Sequence, residues 1–225
     1  MLLPHLLQAL NVTCYAIGDR MLIKIARQEA IDKFPIFPLR HSNSKEDDDV
    51  FDYPKVFANY ILTLPSKSYT GHIELLGVEL VSIAKTFGSD KLIFLGDARV
   101  AWLKRLNTHQ VFKRALQYLA DNKIGKRFDW ALEADIAQIP VFVKHMAWLV
   151  RTNGILPDVY FTDPGQNIIA NICQYANLHI STKNKGADKV FRQAIVKSHF
   201  TYLVDGRCQN KFSRDGAIKG RSLTV

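Results

Sequence analysis

The chain lacks the short patterns that usually reveal a reaction. It has no GxSxG, no GxxxxGK[ST], no HExxH and no CxxC, so no nucleophile elbow, phosphate-cradling loop or paired-thiolate knuckle is legible in it. Its histidines, at 5, 41, 72, 109, 145, 179 and 199, stand singly, and none precedes an aspartate. That removes the adjacent His-Asp pair of one large class of metal phosphohydrolases. Pro157-Asp158 followed by Asp163 looks like the start of a metal-dependent nuclease motif, but no Glu-x-Lys follows, and Gln166 cannot replace a charged ligand. Cysteine is scarce too. Cys14, Cys173 and Cys208 have no metal-like spacing, so they are expected to be reduced, structural residues of a cytoplasmic protein. No apolar run reaches the roughly 18 residues of a membrane helix, so no membrane association is expected. MLLPHLLQAL has no basic leader and is interrupted by Pro4 and His5; it reads as a short core helix rather than a signal peptide. These absences predict no bound metal and no cofactor.

What is present is an ordinary apolar content and an uneven charge. The 225 residues are 48% hydrophobic, enough to build the core of one large domain or two small ones. Net charge is +9, and most of it lies at the end of the chain. From Ser181 to Val225 the cations are Lys183, Lys185, Lys189, Arg192, Lys197, Arg207, Lys211, Arg214, Lys219 and Arg221, opposed only by Asp188, Asp205 and Asp215. This segment carries +7 and the preceding 180 residues only +2. Charge concentrated in this way is the footprint of a polyanion partner or of a solubilising face.

Periodicity predicts helix over residues 1–35, with Met21, Leu22, Ile25, Ala26 and Ile31 near one face. PIFPLRHSNSKEDDD, Pro35 to Asp49, reads as a surface loop, extended in the domain assignment to 35–52. A second helical region is expected from Tyr53 to Lys85, broken at LPSKSYTG. DKLIFLGD is ambiguous between a buried strand and a helical turn. AWLKRLNTHQVFKRALQYLADNKIG reads as a helix capped by Asn-Lys-Ile-Gly, and PVFVKHMAWLVRTNG as one opened or kinked by Pro140 with Trp148 in the core. Beyond Gly154 the pattern changes. DVYFTDPGQNIIANICQY carries Asp163-Pro164-Gly165 between two strand-like runs, GADKVFRQAIVKSHF is an amphipathic helix, and TYLVDGR with GRSLTV reads as a basic hairpin.

The fold class expected from this order is α+β and mostly helical, with a helical domain over 1–139 and a winged-helix-like basic domain over 140–225. A basic helix followed by a basic two-stranded wing suits a DNA reader. Lys183, Lys185, Lys189, Arg192 and Lys197 would contact backbone or groove, and Lys211, Arg214, Lys219 and Arg221 would form the wing. His199 fits either a phosphate contact or a helix C-terminus, and Tyr202 fits core packing better than base stacking.

FANYILTLPSKSYTGHIELLGVELVSIA, Phe57 to Ala84, resembles a region of the HD-type conjugative relaxases of plasmids and integrative elements. In that family a YxxYVxxLPAS segment runs into a histidine-rich turn. YILTLPSKS and the spacing of Leu75, Leu76 and Leu80 agree. The second family histidine falls on Val78, and only His72 can stand in for a member of the first cluster. AWLVRTNGILPD, DKVFRQAIVKSHF and IKGRSL are similar to the separate C-terminal winged-helix domain of the same family. The resemblance implies a shortened relative that lacks the metal-binding nuclease constellation and keeps nucleic-acid contacts.

The expected function is thus a cytoplasmic, non-enzymatic DNA-binding accessory protein of a mobile or conjugative element. Its partner would be duplex or single-stranded DNA, with a protein partner on the helical domain. Two alternatives stay open. One is a degenerate HD-type nuclease or phosphohydrolase using His72 and Asp97; the other is an interaction module of a conjugation or secretion assembly whose basic face meets an acidic protein.

Overall fold

The computed structural model describes residues 22–43, 48–103, 110–152, 157–203 and 207–212. Its elements in chain order are β1 (Ile23–Ile25), α1 (Arg27–Lys33), β2 (Leu39–Asn43), β3 (Asp48–Asp52), β4 (Ala58–Thr63), α2 (Tyr69–Thr86), β5 (Lys91–Gly96) and α3 (Gln110–Asp121). They continue with β6 (Ala131–Asp135), α4 (Ile139–Thr152), β7 (Val159–Thr162), β8 (Ile168–Ile172), β9 (Leu178–Thr182), α5 (Lys185–Val196) and β10 (Thr201–Tyr202). Eight strands form one sheet in the order β1-β6-β5-β7-β8-β9-β4-β10. Every neighbouring pair in it is antiparallel. β2 and β3 form a separate hairpin.

Strand β5 shows why this sheet forms. Leu92 and Phe94 point into the core shared with α2, α3 and α4, while Ile93 and Leu95 join a second core with Ala30, Phe34, Ile36 and Phe37. A strand covered on both faces is apolar at every position, which accounts for the unbroken run LIFL. The second face is closed by α1 and the β2–β3 hairpin, whose Phe51 and Tyr53 pack on Tyr160 at ring separations of 6.4 and 6.2 Å. On the first face α2 and α4 meet closely at Gly77, where a Cβ would come 2.7 Å from the Pro140 Cα.

Turn chemistry fixes the β7–β8 hairpin. Asp163, almost fully buried, accepts from the backbone N–H groups of Gly165, Asn167 and Ile168 and from the Asn167 side-chain amide at 2.7–3.2 Å. Here Asp-Pro-Gly is the turn that the sequence predicts. Helix α5 starts at Asn184, whose side chain accepts from the Ala187 N–H, and α2 starts in the same way at Ser68.

This architecture overturns the expected mostly helical fold. Between Leu22 and Asp135 the described residues form six strands and three helices, not a helical domain. Ile23, Lys24 and Ile25 pair with the edge of β6 instead of continuing a helix. The expected 35–52 loop is largely the β2–β3 hairpin. Strand β4 replaces the first half of the helix expected from Tyr53, because ANYILT finds hydrogen-bonding partners in β9. The winged-helix domain is absent among the described residues as well. Strands β7, β8 and β9 lie inside the common sheet, and Thr201–Tyr202 pairs with Thr63 and Leu62 of β4. Strands from both sides of Pro140 therefore share one sheet, with β4 lying between β9 and β10. The N-terminal MLLPHLLQAL, Arg214, Lys219, Arg221 and the SLTV run lie outside the described residues.

Candidate nucleic-acid interface

Helix α5 runs beside the β4–β10 edge of the sheet and holds its cations on one stripe. Lys185, Lys189, Arg192 and Val196 are separated by four, three and four residues, the spacing of one helical face. Phe191 and Ile195, on the opposite face, are buried. The stripe forms one wall of a groove of about 1040 Å³ whose other wall is Phe57, Tyr60 and Tyr202. Along the helix axis Lys185 and Arg192 stand about 10 Å apart.

Aromatic stacking arranges the second wall. Tyr60 packs on Phe191 with ring centroids 5.3 Å apart and on Tyr202 at 5.6 Å. Its hydroxyl donates to Asp188 Oδ1 at 2.6 Å, and Thr182 donates to the same oxygen at 3.2 Å. Burial, followed by the bond to Asp188, pushes the Tyr60 hydroxyl up to about 12. Asp188 is thereby engaged at the base of the groove, while the three cations stay exposed at its rim. Tyr202 keeps 42% of its surface exposed, Phe57 53% and Val196 85%. Tyr202 is therefore not the core residue that its sequence context suggests. The arrangement pairs a row of cations with open aromatic faces, the combination that takes a flexible anionic strand with stackable rings.

Three of the nine cations singled out from the sequence, Lys185, Lys189 and Arg192, come together here. Lys183 and Lys197 are exposed just before and just after α5 and do not line the groove. Lys211 is exposed near the β8–β9 turn, close enough to His72 to influence it electrostatically. Arg214, Lys219 and Arg221 fall outside the described residues. His199 pairs through Nδ1 with Glu79 Oε1. Phe57, Tyr60 and Gln193 were not legible as site residues, because nothing in the sequence places β4 beside α5.

The two residues of the nuclease alternative have separate structural partners. His72 is buried, with Nε2 at 2.9 Å from the Ala176 carbonyl oxygen, and burial lowers its pKa. Asp97, 1% exposed, accepts from Arg40 Nε at 2.9 Å. Neither belongs to the one group of potential metal ligands among the described residues, which is Cys173, His179 and Cys208.

A second cavity, of about 410 Å³, is lined by Arg27, Arg40, Arg99, His41 and Asp129. Its cations are engaged by the protein itself. Arg27 donates to the Gly96 and Asp97 carbonyls, Arg40 to Asp97, and Arg99 lies 3.5 Å from Asp129 Oδ2. In the α5 groove, by contrast, Lys185, Lys189 and Arg192 are all exposed.

The fold is thus an antiparallel sheet covered by four helices on one face, and by one helix and a hairpin on the other. No known family model, curated protein or solved structure matches the chain.

Proposed function

We propose that the chain binds nucleic acid in the α5–β4–β10 groove, with single strands preferred over duplex, and that it acts as an accessory factor rather than as a nuclease. The observation that carries this reading is the placing of Lys185, Lys189 and Arg192 opposite the open rings of Phe57 and Tyr202. Phosphates would lie along the helix, and unpaired bases would stack on the rings. A duplex presents its phosphates but hides its base faces, so it would gain only the electrostatic part. The relaxase-like YILTLPSKS stretch, whose Tyr60–Thr63 form the second part of β4, would fit a role in handling the single strands of a mobile element.

Three phosphate contacts on a single strand give a slope of about −2 for log affinity against log salt. Binding should weaken roughly fifteen-fold between about 50 and about 200 mM salt. Fluorescence anisotropy with a short labelled single strand and the matching duplex tests this. Tyr202→Ala and Phe57→Ala should each cost about tenfold in single-strand affinity. The Lys189→Ala/Arg192→Ala double variant should flatten the salt slope by about 1.4. Equal affinity of wild type and the aromatic variants would reject stacking. Salt-sensitive binding to acidic proteins, without nucleic-acid binding, would favour the interaction-module alternative.

A further inference from the structure

We propose that Cys173, His179 and Cys208 form a zinc site that fastens the C-terminal segment to the β8–β9 turn. Their ligand atoms all lie within 4.8 Å of one another, although Cys208 is separated from His179 by 29 residues. His179 Nε2 lies 2.8 Å from Cys208 Sγ. All three side chains are half-buried, so the group is shielded yet reachable by an ion.

Two local structures deliver these donors. Cys173 follows β8 directly, and its backbone pins the turn: its carbonyl accepts from the Ala176 N–H, and its N–H donates to the Asn177 carbonyl. Ala176 takes a φ of 61° to close the turn. His179 follows on β9, opposite Asn171 of β8. Leu178 and Ile180 on either side of it enter the main core, so strand alternation turns His179 to the other face. Cys208 arrives on the segment 207–212, which is anchored just after it. Asn177 donates to the Gln209 carbonyl at 3.1 Å, and Arg151 donates to the Phe212 carbonyl at 3.0 Å. The Phe212 ring is buried against Tyr69 and His72.

Two sulfurs and one imidazole nitrogen are borderline-soft donors that suit zinc, whereas calcium and magnesium take oxygen. Zinc bonds of about 2.3 Å to sulfur and 2.0–2.1 Å to nitrogen place tetrahedral ligands about 3.4–3.8 Å apart. The His179–Cys208 pair would open toward that spacing as the ion enters. On binding, both thiols release their protons to solvent and coordinate as thiolates, and His179 stays neutral and coordinates through Nε2. Water fills the fourth position. A simple Cys173–Cys208 disulfide would not require the imidazole 2.8 Å from one of its sulfurs. The consequence is mechanical: the segment 207–212, with Lys211, is held to the sheet when the ion is bound.

The full-length chain, stripped of metal by a chelator and kept reduced, is titrated with cobalt(II) and then zinc(II). One ion per chain is expected, with tetrahedral cobalt bands and thiolate charge-transfer absorption that zinc abolishes. Cys208→Ser and Cys173→Ser should each reduce the charge-transfer band by at least half and weaken zinc at least tenfold. Cys14→Ser should leave both unchanged. In wild type, zinc should slow hydrogen exchange in the segment 207–212. Three results would overturn the proposal: no stoichiometric metal on the reduced wild type, full metal binding in the Cys173→Ser/Cys208→Ser double variant, or a Cys173–Cys208 disulfide in protein acid-trapped directly from cells. The wild-type titration decides the matter even if a variant fails to fold.

Discussion

The Tyr60 hydroxyl donates to Asp188 Oδ1 at 2.6 Å, joining the sheet edge to the first turn of α5 across 128 residues of sequence. A hydrogen bond to a charged, buried acceptor contributes about 1.5–3 kcal/mol. Tyr60→Phe should therefore lower stability by about 1.5 kcal/mol while keeping the ring stack on Phe191. Asp188→Asn keeps an acceptor for Tyr60 but removes the only carboxylate among the described residues that line the groove. It should tighten single-strand binding severalfold at low salt and lose about 1 kcal/mol of stability through the helix N-terminus. Chemical denaturation and anisotropy on the same samples separate the two effects. Weaker binding by Asp188→Asn would place the phosphates elsewhere.

Gly77 supplies a prediction whose sign is opposite to the usual one. Glycine to alanine inside a helix normally gains about 1 kcal/mol. At Gly77 the new Cβ would meet the Pro140 Cα at 2.7 Å and the Pro140 carbonyl oxygen at 3.1 Å. Both are backbone atoms, so no side chain can swing aside. Gly77→Ala should push α2 and α4 apart and cost about 2–3 kcal/mol, read as a lower denaturant midpoint. Gly125→Ala, outside any helix and with a Cβ that meets nothing within 4 Å, is an open-space control and should stay close to wild type.

Arg40 and Asp97 form an ion pair that joins β2 to the end of β5. Asp97 is 1% exposed and receives Arg40 Nε at 2.9 Å, while the Arg40 guanidinium sits 5.2 Å over Phe51. Asp158 lies 4.0 Å from the same guanidinium, and burial together with Asp97 raises its pKa. Removing the cation leaves the buried carboxylate facing Arg27 but without its side-chain ion pair, so Arg40→Met should cost about 2 kcal/mol. Adding Asp97→Asn should recover part of that loss, which a double-mutant cycle measures. Single-strand affinity should be unchanged in each variant, since the pair lies outside the α5 groove. Loss of a metal-dependent nuclease activity in Asp97→Asn would instead revive the hydrolase alternative.

The parts of this molecule written in local patterns were legible. Helix α5 appears in its apolar stripe of Phe191 and Ile195 and in its cations at helical spacing, and the β7–β8 turn appears in Asp163-Pro164-Gly165. α4 opens with Pro140 in its first turn, where a missing N–H costs nothing. Features that depend on distant partners were not. Ile23 and Ile25 fit a helical face as well as an edge strand, and only β6 decides between them. The helix ending near Gly125 takes its left-handed residue at Lys123, with a φ of 57°, instead of at the glycine. The groove was half visible, since its cations share one helix while its aromatic wall comes from β4 and β10. The cysteine–histidine group carries no spacing signature, because the β8–β9 turn and a later segment bring its members together.

His145 should contribute to the loss of stability in acid. Its ring stacks on Tyr118 with centroids 4.5 Å apart and planes 20° from parallel. Burial, and then the neighbouring Lys144, lowers its pKa from 6.5 to about 4. The unfolded chain therefore binds a proton at this position between pH 6.5 and about 4, where the folded chain does not. Stability must fall as pH drops through that window and level off below it. Burial lowers the pKa of His72 as well, so its contribution has the same sign. His145→Phe keeps a ring to stack on Tyr118 and removes the titration. The variant should lose less melting temperature than wild type between about pH 7 and about pH 4.5, with a residual slope from the other buried histidines. Parallel melting curves for the two proteins over that range would show that His145 is not the source.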